Sequence, residues 1–211
     1  MLFRILRTSN SYIVLTTLLG ILFLKSFSLD KTLTLHGKST SNAATLVNEE
    51  FQDAWKLFAD AILKQDIKSI KALSTDCIMC TDCFTNTPLE DSLFKKIQKE
   101  NPDTWYQKLY NDFSFVPVDH FIKEDFDIIF NEKVKLRLLN KSKLIYIDDN
   151  HNAKVYAKPC VIGTASLNEL DFQEVLLTYI DPTPKFEGSQ RAFAFVKIKG
   201  QYKFCGFSTI P

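Results

Sequence analysis

The chain has 211 residues, 45% hydrophobic and 13% aromatic, enough for one sizeable core without requiring a second domain. Its 26 basic residues stand against 25 acidic ones, so no strong single-sign field is present to draw in nucleic acid or an anionic membrane surface. No G-x-S-x-G, phosphate loop, dinucleotide fingerprint or H-E-x-x-H motif occurs, which removes the commonest sequence-encoded hydrolase, nucleotide-binding and zinc-protease chemistries.

Residues 1–28 have the layout of an export signal: a basic start at Arg4 and Arg7, an apolar stretch from Tyr12 to Leu24, and small residues at Ser26 and Ser28. The apolar stretch is about a dozen residues long, against roughly 20 for a membrane-spanning helix, which favours removal after Ser28 over a permanent anchor. An uncleaved anchor is the alternative, and through it alone the chain would touch a membrane. No cysteine near that point could carry a lipid, and the two arginines are not adjacent as a twin-arginine signal requires. The segment carries Arg4, Arg7 and Lys25 and no acid, so its removal takes the formal charge from +1 to −2. The expected location is the periplasm or cell envelope, or the medium after secretion.

Residues 29–45 are rich in Ser, Thr, Lys and Asn without apolar periodicity and read as a linker, leaving 46–211 as a single domain. From Leu46 to Leu63, Phe51, Trp55, Phe58 and Ile62 recur at helical spacing, with charged residues mostly off that stripe. A second helix is expected over Asp66 to Leu73. A third runs from Leu89 to Lys99 after Pro88, with Glu90 and Asp91 at its positive end. Between Asn101 and Asp127 lies a partly helical, aromatic-rich connector. From Glu132 the period changes to two, with Val134, Leu136 and Leu138 alternating against Lys133, Lys135 and Arg137, which predicts a strand. Leu144 to Ile147 and Ala153 to Lys158 read as two strands joined by a hairpin turn at Asp148 to Asn152, and further strands are expected at Phe172 to Ile180, Arg191 to Lys197 and Tyr202 to Ser208. Helices followed by about six strands predict an α+β fold with a mainly antiparallel sheet.

A two-residue loop at Lys199 and Gly200 sets Ile198 opposite Gln201, Val196 opposite Lys203 and Ala194 opposite Cys205. The other face then carries Phe193, Phe195, Tyr202 and Phe204, which must be buried under the helices. The stretches FADAILKQDIKSIKAL and AFVKIKGQYKFCGFSTIP in this layout resemble the nuclear-transport-factor-2-like or cystatin-like α+β cone, as found in small exported proteins of unknown function from Bacteroidetes-type bacteria. The resemblance covers Leu46 to Pro211 and implies a curved sheet wrapped round a long helix, with a pocket at the open end. Trp55, Phe58, Phe193, Phe195, Tyr202 and Phe204 are the ligand-pocket candidates; for Trp55 and Phe58 the preferred reading is a helix laid on the sheet, the floor of a pocket being the alternative.

The one local motif is Cys77-Ile78-Met79-Cys80-Thr81-Asp82-Cys83. Thiolates at this spacing suit an iron–sulfur or zinc site completed by Cys160 or Cys205, and Cys77 with Cys80 has the spacing of a redox pair. In an oxidising compartment disulfides are the commoner fate, and one bond within the cluster plus a second to Cys160 or Cys205 is the preferred expectation. Five cysteines leave at least one over. His36, His120 and His151 show no metal-type spacing. Asp125, Asp171, Asp181 and Glu187 are the acids placed to line a pocket; none is assigned a catalytic role, and no cofactor or metal is assigned. The basic run Lys133, Lys135, Arg137, Lys141 and Lys143 reads as a solvated strand face. The function these readings predict is a non-catalytic exported domain that binds a small apolar ligand or an envelope protein, a homodimer being compatible with it. A pocket enzyme of the same fold and a cysteine-loop metal or redox site are the alternatives.

Overall fold

The first helix, α1 (Glu49–Leu63), is opened by Asn48, whose side chain accepts a hydrogen bond from the Glu50 N–H while Glu49 and Glu50 occupy the positive end of the helix. A short α2 (Ile67–Ala72), capped by Asp66 on Ser69, leads directly into β1 (Ser74–Cys80). The computed structural model describes residues 48–211; the expected export signal and the linker lie outside them. Among the described residues no helix is long and apolar enough to cross a membrane.

After β1 come α3 (Pro88–Glu100), α4 (Trp105–Lys108), a π turn (Leu109–Phe113) and a short β2 (Phe115–Pro117). The connector continues through α5 (Val118–His120), a second π turn (Phe121–Asp125), α6 (Phe126–Ile129) and α7 (Glu132–Lys135). Then follow β3 (Leu144–Asp148), the short α8 (Pro159–Ile162), β4 (Phe172–Ile180), β5 (Ser189–Ile198) and β6 (Gln201–Ile210). The strands form one open, curved sheet of order β2-β1-β6-β5-β4-β3, antiparallel throughout except where β1 runs parallel to β6. The α+β class and the six strands agree with the sequence expectation, although two of the six are different segments.

Residues 132–138 are not a strand. Asn131 caps α7 by accepting from the Val134 N–H, and the apolar residues serve a four-residue period: Val134 and Leu138 are 0% exposed, whereas Leu136 is 83% exposed. Ala153 to Lys158 is not a strand either. The Asp149 N–H donates to the Phe172 carbonyl and Asn150 Oδ1 accepts from the Phe172 N–H, so β3 pairs with β4, and residues 149–171 turn away to cover one face of the sheet. The sequence reading missed β1 because it is an interior strand buried on both faces, so it shows no polar alternation.

The main core lies between α1 and the β5–β6 hairpin. Phe51, Trp55, Phe58 and Ile62 meet Phe193, Phe195, Tyr202, Phe204 and Phe207, all buried. The Trp55 Nε1–H donates to the Leu138 carbonyl at 3.0 Å, satisfying the indole inside the core and tying α1 to the turn after α7. The hairpin turns at Lys199 and Gly200 as expected, both at positive φ (50° and 79°), and pairs Ile198 with Gln201 and Val196 with Lys203. Beyond Phe195 and Phe204 the expected register fails: Ala194 lies opposite Gly206, leaving Cys205 as the extra residue of a β-bulge. The insertion changes the parity of β6, which is how Phe204 and Phe207, three apart, both face the main core.

The second face carries Phe172, Ala194, Val196 and Cys205 under Tyr156 and Val161 from the 149–171 segment. Tyr156 stacks on Phe172 with ring centres 5.6 Å apart and lies directly over Gly206, where a Cβ would come within 2.6 Å of the Tyr156 ring and 3.2 Å of the Ala194 methyl. Gly206→Ala is therefore expected to lower stability by about 1–3 kcal/mol through overpacking, read as a lower urea midpoint at unchanged slope.

Candidate functional site

Five of the six aromatic pocket candidates, Trp55, Phe58, Phe193, Phe195 and Phe204, are fully buried and fill the space between α1 and the sheet. Phe58 stacks on Phe204 with centres 4.8 Å apart, and Trp55 lies 5.4 Å from Phe193. The expected concavity is packed solid by the helix that was to form its floor. Tyr202 sits at the edge of this core, where its hydroxyl accepts from the Asn48 amide at 2.5 Å and donates to the Asp171 carboxylate.

Four of the five cysteines form disulfides. Cys77–Cys160 ties β1 to α8, and Cys80–Cys83 closes a loop at the end of β1. This agrees with one bond inside the cluster and a second to a remote cysteine. Cys77 and Cys80 do not pair with each other because residues three apart on a strand face opposite ways: Cys77 joins the second-face cluster and Cys80 the main core. Sulfurs engaged in disulfides are not thiolate ligands, so with both bonds formed the loop offers no thiolate to a metal. The bonded C-x-x-C, Cys80–Cys83, is buried at both ends. Cys205 is free and buried, its thiol pushed well above the usual range by burial and then by Asp149 and Glu174. In the oxidised protein a thiol reagent should find no reactive thiol in the native state and one per chain after denaturation, and the intact mass should show four hydrogen atoms lost relative to the reduced chain.

The molecule's convergent ionisable groups lie elsewhere. Thr87 and Glu90 form a capping box at the start of α3: Thr87 Oγ1 accepts from the Glu90 N–H, and Glu90 Oε2 accepts from the Thr87 N–H at 2.9 Å. This reciprocity turns the Glu90 side chain back toward the loop that follows Cys83. His120 ends α5, and Asp125 ends the π turn after it. In an α-helix, positions five apart point about 140° away from each other, whereas a π turn bonds i to i+5 and brings them to a shared side. The core demands this turn, since Phe121 and Phe126, also five apart, are both buried against Phe204 and Phe130.

The result is a cluster of Glu90 (8% exposed), Asp125 (0% exposed) and His120, whose side chain is 39% exposed. His120 Nε2 stands 3.4 Å from Glu90 Oε1. Asp125 Oδ1 accepts from Asn86 Nδ2 at 2.8 Å. Glu90 Oε1 and Asp125 Oδ2 have no hydrogen-bond partner. Burial pushes the Asp125 carboxyl up to about 6, the Asn86 hydrogen bond opposing this and the Glu90 charge adding to it.

A cleft of about 270 Å³ opens beside the cluster. Phe84, Leu93, Phe94, Leu109, Phe113 and Val116 supply its walls, and Glu90, Asp112 and His120 are its ionisable groups. Asp125 lies behind them and does not reach the cleft. In a larger cleft of about 600 Å³, near Cys160, Asp171 and Lys203, Lys197 is engaged with Glu50 at 2.6 Å, Lys203 with the Ala72 carbonyl, and Asp171 with Gln173 and Tyr202, while Asp76, Glu169 and Lys199 are exposed to solvent. The smaller cleft is the one bordered by a buried polar atom without a partner, Glu90 Oε1, and for that reason it is the candidate site.

Sequence reasoning set His120 aside because it has no metal-type spacing to His36 or His151, and Glu90 was read only as a helix-end acid. The readable signal was the Thr87-x-x-Glu90 capping box. Of the other acids considered, Asp181 takes Lys143 and Arg137, and Glu187 is exposed. Most of the basic run is engaged: Arg137 donates to the Thr178 carbonyl, Lys135 pairs with Glu132, Lys143 pairs with Asp181, and Lys133 lies over the Tyr179 ring, while Lys141 is exposed. His151 is exposed, and His36 lies outside the described residues. No family model matches the chain, and no curated protein sequence matches it.

On the second face, Glu174 is raised from 4.5 to about 7 by burial first and then by the charge of Asp149, with Tyr156 and Cys205 as its other titratable neighbours. A carboxyl raised on folding keeps the folded state more protonated than the unfolded one between those values, so its contribution to stability falls as pH rises from 4.5 to 7. Glu174→Gln should leave stability unchanged near pH 4 and raise it above pH 7, by on the order of 1 kcal/mol after solvent screening, as read from urea unfolding across pH.

Proposed function

We propose that the domain is a binding module of an exported protein and takes a small amphipathic molecule in the cleft beside α3. The cleft itself carries this reading: its walls are apolar and aromatic, and two of its ionisable groups, Glu90 and His120, stand together, the pattern by which a site seats an apolar body and orients a polar head. Two disulfides in one small domain support the exported setting, since such bonds persist in oxidising compartments. The long α1 laid across an open sheet that ends in the β5–β6 hairpin supports the cone-like family resemblance, with the binding site displaced from the filled centre of the cone to its connector side. The rival reading, an acid–base enzyme in the same cleft, draws on the same convergent groups. It is the weaker one because Asp125, the carboxyl poised near neutral pH, does not reach the cleft.

The test uses a neutral apolar fluorophore, N-phenyl-1-naphthylamine, with the purified protein. Saturable one-to-one binding is expected. Leu93→Trp, at a half-exposed position on the cleft wall, should fill the space and weaken binding about tenfold or more, corresponding to roughly 1.4 kcal/mol. Leu57→Trp, on the exposed side of α1, should leave it unchanged. Equal effects of the two substitutions would remove this cleft as the binding site.

A further inference from the structure

Glu90, His120 and Asp125 come from three separate elements, and one ligand-type atom of each lies within 4.8 Å of those of the other two. The two carboxylates are built alike. Glu90 commits Oε2 to the Thr87 N–H and Asp125 commits Oδ1 to the Asn86 amide, so adjacent residues of one loop hold both groups by one oxygen each. The second oxygen of each is buried and bare, on side chains more than nine-tenths buried. Among the described residues no lysine or arginine forms an ion pair with either. Two desolvated carboxylates side by side, with the His120 imidazole 3.4 Å from Glu90 as their one nearby basic group, are a costly arrangement, and each is anchored by a hydrogen bond.

We propose that Glu90, Asp125 and His120 bind one divalent cation of the Zn²⁺ or Mn²⁺ class. Two carboxylate oxygens and one imidazole nitrogen suit these metals, whereas Ca²⁺ and Mg²⁺ sites are built from oxygen ligands alone. Neutral His120 adds no charge, so the two carboxylates balance the ion. Asn86 and the Thr87 N–H are the outer supports that orient the ligating carboxylates. Three protein ligands leave at least one coordination position for water or a further ligand, and two of the three residues, Glu90 and His120, also line the cleft. The cation site rests on its own geometry and does not require the amphipathic-ligand reading.

A single proton shared between Glu90 and Asp125 would satisfy the same atoms, and the experiment separates the two. The purified full chain, stripped with chelator and dialysed, is titrated calorimetrically with ZnCl₂, MnCl₂, MgCl₂ and CaCl₂, and its metal content is counted by mass spectrometry after desalting. One Zn²⁺ or Mn²⁺ per chain is expected, at least about tenfold tighter than Mg²⁺ or Ca²⁺. His120→Ala, at a half-exposed position that leaves the core intact, and Asp125→Asn should each weaken binding about tenfold or more, while His151→Ala should not. Absence of Zn²⁺ and Mn²⁺ binding in the unaltered protein would overturn the proposal and assign the cluster to a shared proton, whatever the variants do. Binding undiminished in His120→Ala, or tighter binding of Mg²⁺ or Ca²⁺, would overturn it as well.

Discussion

The burial of the β5–β6 aromatic face beneath α1 sets the terms for the rest of the molecule. Phe193, Phe195, Tyr202, Phe204 and Phe207 on the hairpin and Phe51, Trp55 and Phe58 on the helix interlock through tilted, edge-on and stacked contacts, the pairs Phe51–Tyr202, Trp55–Phe193, Phe58–Phe195, Phe58–Phe204 and Phe193–Phe207 having ring centres 4.8–5.4 Å apart. Each ring removed from water contributes roughly 2–3 kcal/mol, so this layer outweighs every polar interaction in the domain. Everything nearby adapts to it. α7 turns Val134 and Leu138 toward it, and the indole of Trp55 finds its one acceptor on the Leu138 carbonyl.

The opposite face is built on a smaller scale and held by different means. The bulge at Cys205 lets β6 send Phe204 and Phe207 to the same side, and Gly206 across from Ala194 leaves a depression that Tyr156 fills. The Cys77–Cys160 bond then fastens the covering segment to β1. Burial on this face also gathers Asp149, Glu174, Tyr156 and Cys205, all with their ionised forms disfavoured.

The candidate site follows from the same core. Burying both Phe121 and Phe126 requires the π turn, and the π turn brings Asp125 to the side of His120. Glu90 arrives there because the capping box folds its side chain back over the start of α3. The Cys80–Cys83 bond fixes one end of the loop that carries Asn86 and Thr87. A helix cap and a packing requirement thus leave two bare carboxylate oxygens next to a histidine at the edge of an apolar cleft.

Where apolar spacing or turn chemistry was strong, the sequence alone determined the outcome. The four-residue stripe Phe51, Trp55, Phe58, Ile62 specifies α1. Lys199 and Gly200 specify the final turn and the first two pairings beyond it, and the excess of cysteines specifies disulfides together with a leftover thiol. What only the tertiary structure decided depended on long-range competition. Val134, Leu136 and Leu138 alternate like a strand, yet the core had room for two of them at helical spacing. Ala153 to Lys158 lost its strand because β4 was the better partner for β3. The aromatic residues expected to line a pocket were consumed by the core, since a helix carrying Trp55 and Phe58 leaves no space over a sheet carrying Phe193 and Phe204. The Glu90, His120 and Asp125 cluster was unreadable for a related reason: local sequence spacing encodes faces of regular helices and strands, and these three residues meet through a π turn and a loop separated by some thirty residues of chain.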